Sequence, residues 1–269
     1  MRSHASRPTA IVPFTGYGPA VAHALDAVGA MDLISRQKAI LIKPNLVNAS
    51  PHPVTTPPEC CEAILGYIRC HSDAEIVIAE GCGDPSLTTA DLFKRHGYDR
   101  LARKWGVRLL DLNTAPLVKR SLPGCRLFTE MILPEILFSH WLISVPVLKA
   151  HSLSVITGTL KNMVGVVPPR HYAGREGIWN KASLHRDLHQ AIVDLNRHRC
   201  PDLTVMDATV GLAAFHLGGP ECVPPIGRIL AGPDPLHLDR RAAELLDLDW
   251  REIPHLRGEF DMAGGFFRP

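Results

Sequence analysis

The sequence predicts an α/β fold: a mainly parallel sheet with helices on both faces, built by residues 1–269 as a single domain. Two observations predict it. Short β-prone runs alternate with longer segments of helical spacing. The 23 prolines and 21 glycines are spread through loops, and no repeat, low-complexity run or linker divides the 269 residues.

The elements follow in order. Ala10-Ile11-Val12-Pro13 is a short apolar start, and residues 19–34 read as a helix. Ile40 to Ile42 is a strand. Pro57 and Pro58 open a helix over 57–70, where the missing N–H costs nothing. Glu75 to Ala79 is a strand, 90–104 a helix, and Val107 to Leu110 a strand. Trp141 to Val145 is apolar and β-prone, and Pro146 is expected to end it because proline cannot donate to a ladder. The chain should then turn into a helix near 153–164. On that helix Ile156, Leu160, Met163, Val164 and Val167 share one face, and Ser154, Thr157, Gly158, Lys161 and Gly165 the other. A helix at 183–197, strands at Leu203–Met206 and Ile229–Ala231, and a helix at 237–247 complete the order. Residues 166–182 lack periodicity, as a lid or binding loop does.

Composition excludes several functions. The chain is 46% hydrophobic and 21% charged, with a net charge of +2. No Lys/Arg-rich run exists, so no nucleic acid or anionic membrane partner is expected. No stretch is long and apolar enough for a membrane helix. The segment Met1 to Arg7 lacks an apolar signal core. The seven cysteines form no Cys-x-x-Cys pair. A cytoplasmic protein with reduced thiols is expected.

The chemistry gathers at strand ends, where open α/β sheets bind ligands. Lys43 and Asn45 follow one strand. Lys149 and His151 follow another, with Ser154, Thr157 and Lys161 on the small, hydroxylated, cationic face beyond it and Asn162 next to Lys161 as a further substrate-binding candidate. Each lysine alone reads equally well as a surface residue; together they suit an anion. Glu80 and Asp207 each follow a strand, as a general base or as a loop-ordering carboxylate. Glu80-Gly81-Cys82-Gly83 is not the full dinucleotide fingerprint, which needs a third glycine at position 86, where Ser86 stands. The cofactor is therefore unknown. His185 and His189, four apart on an expected helix, form a candidate metal pair or a solvent-facing one. There is no Gly-x-Ser-x-Gly elbow and no phosphate-binding Gly-x-x-x-x-Gly-Lys-Ser/Thr loop.

Several motifs in combination resemble the family called domain of unknown function 362. They are Ile42-Lys43-Pro44-Asn45-Leu46, Thr55-Thr56-Pro57-Pro58 and Ile78-Ala79-Glu80-Gly81, then Val145-Pro146-Val147-Leu148-Lys149-Ala150-His151 with Gly158 to Pro168. Leu184-His185, the strand to Asp207, Gly218-Gly219-Pro220, and Asp234-Pro235 with Asp239 continue the match, which spans roughly residues 38–245. The resemblance implies an iron–sulfur association, since a ferredoxin-like cysteine module accompanies many members. This chain lacks those clustered cysteines. It also has Ala150 where the family usually has threonine or a similar small residue.

The leading reading is an enzyme-like protein binding a small anionic carboxylate or phosphate metabolite. Lys43, Lys149 and Lys161 would hold the anion. His151 would move a proton, with Glu80 or Asp207 orienting it or acting as second carrier. Proton transfer or isomerisation needs the fewest unobserved parts. The alternatives are a redox partner served by a separate iron–sulfur protein, and a metal-binding protein using His185 and His189.

Overall fold

The computed structural model describes residues 8–174, 180–261 and 266–268. The strands are β1 (Ala10–Pro13), β2 (Ala39–Pro44), β3 (Glu75–Glu80), β4 (Arg108–Asp111), β5 (Leu117–Ser121), β6 (Glu130–Pro134), β7 (Trp141–Val145), β8 (Val147–His151), β9 (Val155–Thr157), β10 (Leu203–Leu212), β11 (Arg228–Gly232), β12 (Glu259–Asp261) and β13 (Phe266–Arg268). The helices are α1 (Tyr17–Ala27), α2 (Ala30–Ile34), α3 (Pro58–His71), α4 (Thr89–Arg95), α5 (Tyr98–Trp105), α6 (Ile136–Ser139), α7 (Thr159–Asn162), α8 (Pro169–Tyr172), α9 (Leu188–His198) and α10 (Pro235–Glu244).

The main sheet runs β1-β11-β10-β7-β2-β3-β4, with β8 and β9 added beside β10. The pairs β10–β7, β7–β2, β2–β3, β3–β4 and β10–β8 are parallel; β1–β11, β10–β11 and β8–β9 are antiparallel. This is an α/β protein with a mostly parallel, mixed sheet. Alternate strand residues divide between two buried clusters, as the two-residue period requires. Ile40, Ile42, Ile76, Ile78 and Ile143 join Leu25 of α1 and Ile64 of α3 in one. Leu41, Val77, Leu142 and Met206 join Leu160 of α7, Ile192 of α9 and Leu238 of α10 in the other.

The structure corrects five expectations. The helix at 19–34 is two helices, divided where Gly29 turns left-handed at φ 68. The helix at 90–104 is likewise divided at Gly97, φ 80. Glycine takes this conformation at low cost, and it stops a helix. Pro146 does not end the strand line. It only interrupts it, because the missing N–H removes one ladder bond while its carbonyl accepts from Asp207 N at 2.9 Å. β7 pairs with Leu203 and Thr204, and β8 continues along the same neighbour from Asp207 to Leu212. Asp207 therefore sits inside β10, not after it. Finally, residues 153–158 are not helical: Val155–Thr157 pairs antiparallel with β8, and the β-branched Ile156 and Thr157 are buried there.

The region expected as a lid over 166–182 contains the helix α8, which starts at Pro169. Residues 175–179 lie outside the described residues.

Candidate active site

Parallel pairing brings the ends of β2 and β3 side by side, so Lys43 and Glu80 meet. Lys43 Nζ donates to Glu80 Oε2 at 2.8 Å, to Asn162 Oδ1 at 3.0 Å and to Pro44 O at 3.1 Å. Both members of the pair are buried, at 0% and 2% exposure. Burial pulls the Lys43 ammonium below its ordinary range, against the opposing pull of Glu80. Gly81 N donates to the other Glu80 oxygen at 2.8 Å. Asn162 also reaches Ser144 Oγ at 3.0 Å, which ties α7 to β7. Gly165 lies against the ion pair so closely that any Cβ there would collide with Glu80 Oε1 and with Lys43 Nζ.

The β8–β9 hairpin forms the second half. Lys149 Nζ donates to Asn45 Oδ1 at 2.7 Å and Val54 O at 2.6 Å. Burial and the neighbouring Lys161 charge lower it to about 7. His151 Nδ1 accepts from Leu153 N at 3.0 Å and Ser154 N at 3.2 Å. Those two donors assign the ring proton to Nε2. The His151 ring stacks on His216, with centroids 3.6 Å apart. Burial, then Lys161, push His151 far below the usual imidazole range, so it stays neutral. His216 is pulled down to about 3 for the same reasons. Ser154 is spent on its own turn, its hydroxyl donating to Ile156 O at 3.0 Å.

These halves enclose a cavity of about 320 Å³. Asn45, Glu80, His151, Thr157, Lys161, Asn162, Lys181, His185 and His216 supply its polar lining. Leu153 and Phe215, 57% and 43% exposed, and Leu217 supply an apolar rim. Lys43, Lys149 and Ser154 sit behind the wall rather than on it. Lys161 is different from the other lysines. Its Nζ has no hydrogen-bond or ion-pair partner among the described residues, and the side chain is only half-buried. Its deep position and the Lys43 charge lower it to about 8. Thr157 Oγ1 is buried and also has no partner.

Lys181 is a member that sequence reasoning missed. Its Nζ donates to Gly81 O and Gly165 O, both at 2.6 Å, and burial lowers it to about 7. It lies in an aperiodic segment, so no local pattern marks it. His216 was missed for the same reason.

A family model described as Domain of unknown function (DUF362) matches residues 40–244. The chain belongs to the DUF362 family. A thylakoid-associated protein of Synechocystis sp. is 24% identical over 252 residues, covering 87% of this chain and 71% of that protein. The lactate racemase apoprotein from Thermoanaerobacterium thermosaccharolyticum has a similar structure, with a TM-score of 0.55 at 12% identity. That likeness is one of fold. It covers 90% of this DUF362 chain, which spans 57% of the racemase's length.

Three residues singled out in the sequence stand apart from one another in this DUF362 member. Asp207 is absent from the cavity lining. It accepts from Tyr17 OH at 2.7 Å and from Thr209 Oγ1 at 2.7 Å, and lies 3.3 Å from His52 Nε2. Burial raises its pKa, but the His52 and Thr209 contacts outweigh that and leave it lowered. Neither Asp207 nor Glu80 is hydrogen-bonded to His151, so the expected orienting carboxylate is replaced by two backbone N–H groups. His185 and His189 do not share a helix face. His185 ends up on a 3-10 turn over Ala182–Asp187, and Asp187 caps α9 through Gln190 N at 3.1 Å. His185 lines the cavity, while His189 Nδ1 lies 2.8 Å from His255 Nδ1. Among the described residues no three His, Cys, Asp or Glu side chains group as metal ligands.

Proposed function

We propose that this chain is a cytoplasmic, single-domain enzyme, with helices on both faces of its sheet, that binds a small carboxylate or phosphate metabolite and moves a proton on it. One observation carries the reading: the Lys161 side chain lines the cavity, and among the described residues its Nζ has no partner. A cation held in a low-dielectric wall without a counter-ion is costly, and a bound anion removes that cost. Lys181, lining the same cavity, adds a second charge. His151 offers the Nε2 proton to the ligand as a neutral donor. Lys161 and Lys181 exchange protons close to neutral pH, as groups that move protons should.

The division of the core into two clusters supports the two helical layers, and seven unpaired thiols support a reducing compartment. Lactate racemase, whose fold is similar, acts on a small carboxylate, the same ligand class these cations suit. No observation favours a separate iron–sulfur protein as partner or a metal on His185 and His189.

The test is a thermal-shift series with small carboxylates and inorganic phosphate, on wild type and Lys161→Met. Native-state binding raises the melting temperature by mass action. A carboxylate- or phosphate-dependent rise in wild type, lost in Lys161→Met, is expected. An equal rise in both proteins overturns the reading.

A further inference from the structure

Four lysines surround the cavity, and three are already committed. Lys43 is paired with Glu80 and Asn162, Lys149 with Asn45 and Val54, and Lys181 with two backbone carbonyls. A lysine held on two acceptors cannot reach a ligand carbon without breaking those hydrogen bonds. Among the described residues Lys161 is the one of the four whose Nζ has no partner. Once it loses its proton, its lone pair meets no donor's hydrogen among the described residues and remains available. Nothing on its own wall blocks it: α7 presents it toward the ligand space beside Thr157, whose buried hydroxyl also lacks a partner.

We infer that Lys161 is an amine nucleophile that forms an imine with the carbonyl carbon of a 2-oxo carboxylate held in this cavity. The inference rests on the anion-binding reading above and narrows its ligand to an oxo acid. The Nζ lone pair forms a bond to the carbonyl carbon while the carbonyl π pair moves to oxygen. An amine proton passes to that oxygen and gives a carbinolamine. The C–O bond then breaks, the remaining N–H proton leaves with the hydroxide as water, and the C=N bond forms. Amine and ketone become imine and water, with nothing oxidised or reduced. Lys181 faces the substrate carboxylate, and the Thr157 hydroxyl bonds the carbinolamine oxygen.

The surroundings favour the reactive form. The deep position and the Lys43 charge lower Lys161 to about 8, and a desolvated lysine beside another cation is a recognised way to activate this nucleophile. The apolar rim of Leu153, Phe215 and Leu217 limits the water that would reverse the step.

The test uses full-length protein incubated with pyruvate or 2-oxobutyrate and then reduced with sodium borohydride, which traps an imine as a stable secondary amine. Intact mass and peptide mapping read the product. One adduct per chain is expected, located on Lys161, absent with acetate, and forming faster as pH rises through about 8. Lys161→Arg keeps the positive charge but supplies no amine nucleophile, and should lose the adduct. If oxo acids raise the melting temperature without any adduct, the imine is overturned and anion binding stands. If the adduct persists in Lys161→Arg or spreads over exposed lysines, the imine at Lys161 is likewise overturned. If neither a shift nor an adduct appears, both readings fail together.

Discussion

Two buried carboxylates behave in opposite ways in this sheet. Glu80, at the end of β3, faces a lysine and the cavity. Asp207, inside β10, faces Tyr17, Thr209 and His52 on the far side of the Pro146 interruption. Two hydroxyls, the Thr209 backbone N–H and the His52 ring surround Asp207, away from the cavity. Glu80 is satisfied too, but by Lys43, whose own neighbours along the wall are Lys161 and Lys181. A carboxylate satisfied by its own fixed partners away from the cavity stabilises a fold. One held within an excess of cations leaves net positive charge for a ligand.

The largest test of this contrast is Glu80→Ala. It would strand Lys43 in a site with 0% exposure and remove the acceptor for Gly81 N. Breaking a buried pair from one side costs about 3–5 kcal/mol. Urea unfolding should show a loss of that order, and Lys43→Met in the same chain should restore much of it. A single-variant loss no larger than that of an exposed pair such as Lys119–Glu130, 60% and 55% exposed, would break the contrast.

The second test is pH. Lys149 and Lys181 are lowered to about 7 and Lys161 to about 8. The unfolded chain then binds more protons than the folded one above those values. Stability must therefore rise with pH from about 7 until the cysteines, raised by burial in the folded chain, reverse the slope near their ordinary value of 9.0. The Asp207 cluster contributes nothing in this window. Its carboxyl is lowered, so its contribution is present above 3.8 and is lost only as pH falls below that. Urea midpoints at pH 7, 8 and 9 should climb at first, and less in Lys149→Met. A flat profile would mean the lysines are as well hydrated as surface ones.

Much of this was legible in the sequence because it lies in single elements. The strands β1, β2, β3, β4 and β7 follow from apolar β-prone runs, and α3 from its opening prolines. Lys43, Glu80 and His151 follow from their positions at strand ends, and Lys161 and Asn162 from the small, cationic stretch beyond His151. What was hidden depends on pairing between distant segments. The β9 segment reads as a helical face because Ile156 and Leu160 also fit that spacing; only pairing with β8 decides it. Likewise, Asp207 looks like a strand end until β8 is seen to extend the sheet past Pro146. Lys181 and His216 arrive from irregular segments, whose placement no periodicity encodes.

The smallest effect expected is from Asp207→Asn. Asparagine keeps the carbonyl oxygen that Thr209 N and Oγ1 contact at 2.9 and 2.7 Å. It replaces the charged acceptor of Tyr17 OH with an amide, and the tyrosine hydroxyl can then accept instead of donate. A hydrogen bond to a charged group contributes about 1.5–3 kcal/mol, against about 1 for a neutral one. A loss of about 1 kcal/mol is therefore expected in urea. The carboxylate-dependent thermal shift should stay as in wild type, because Asp207 does not line the cavity. Loss of that shift in a variant that still folds would make Asp207 part of the ligand machinery. The division between a carboxylate that supports the fold and one that supports the site would then be wrong.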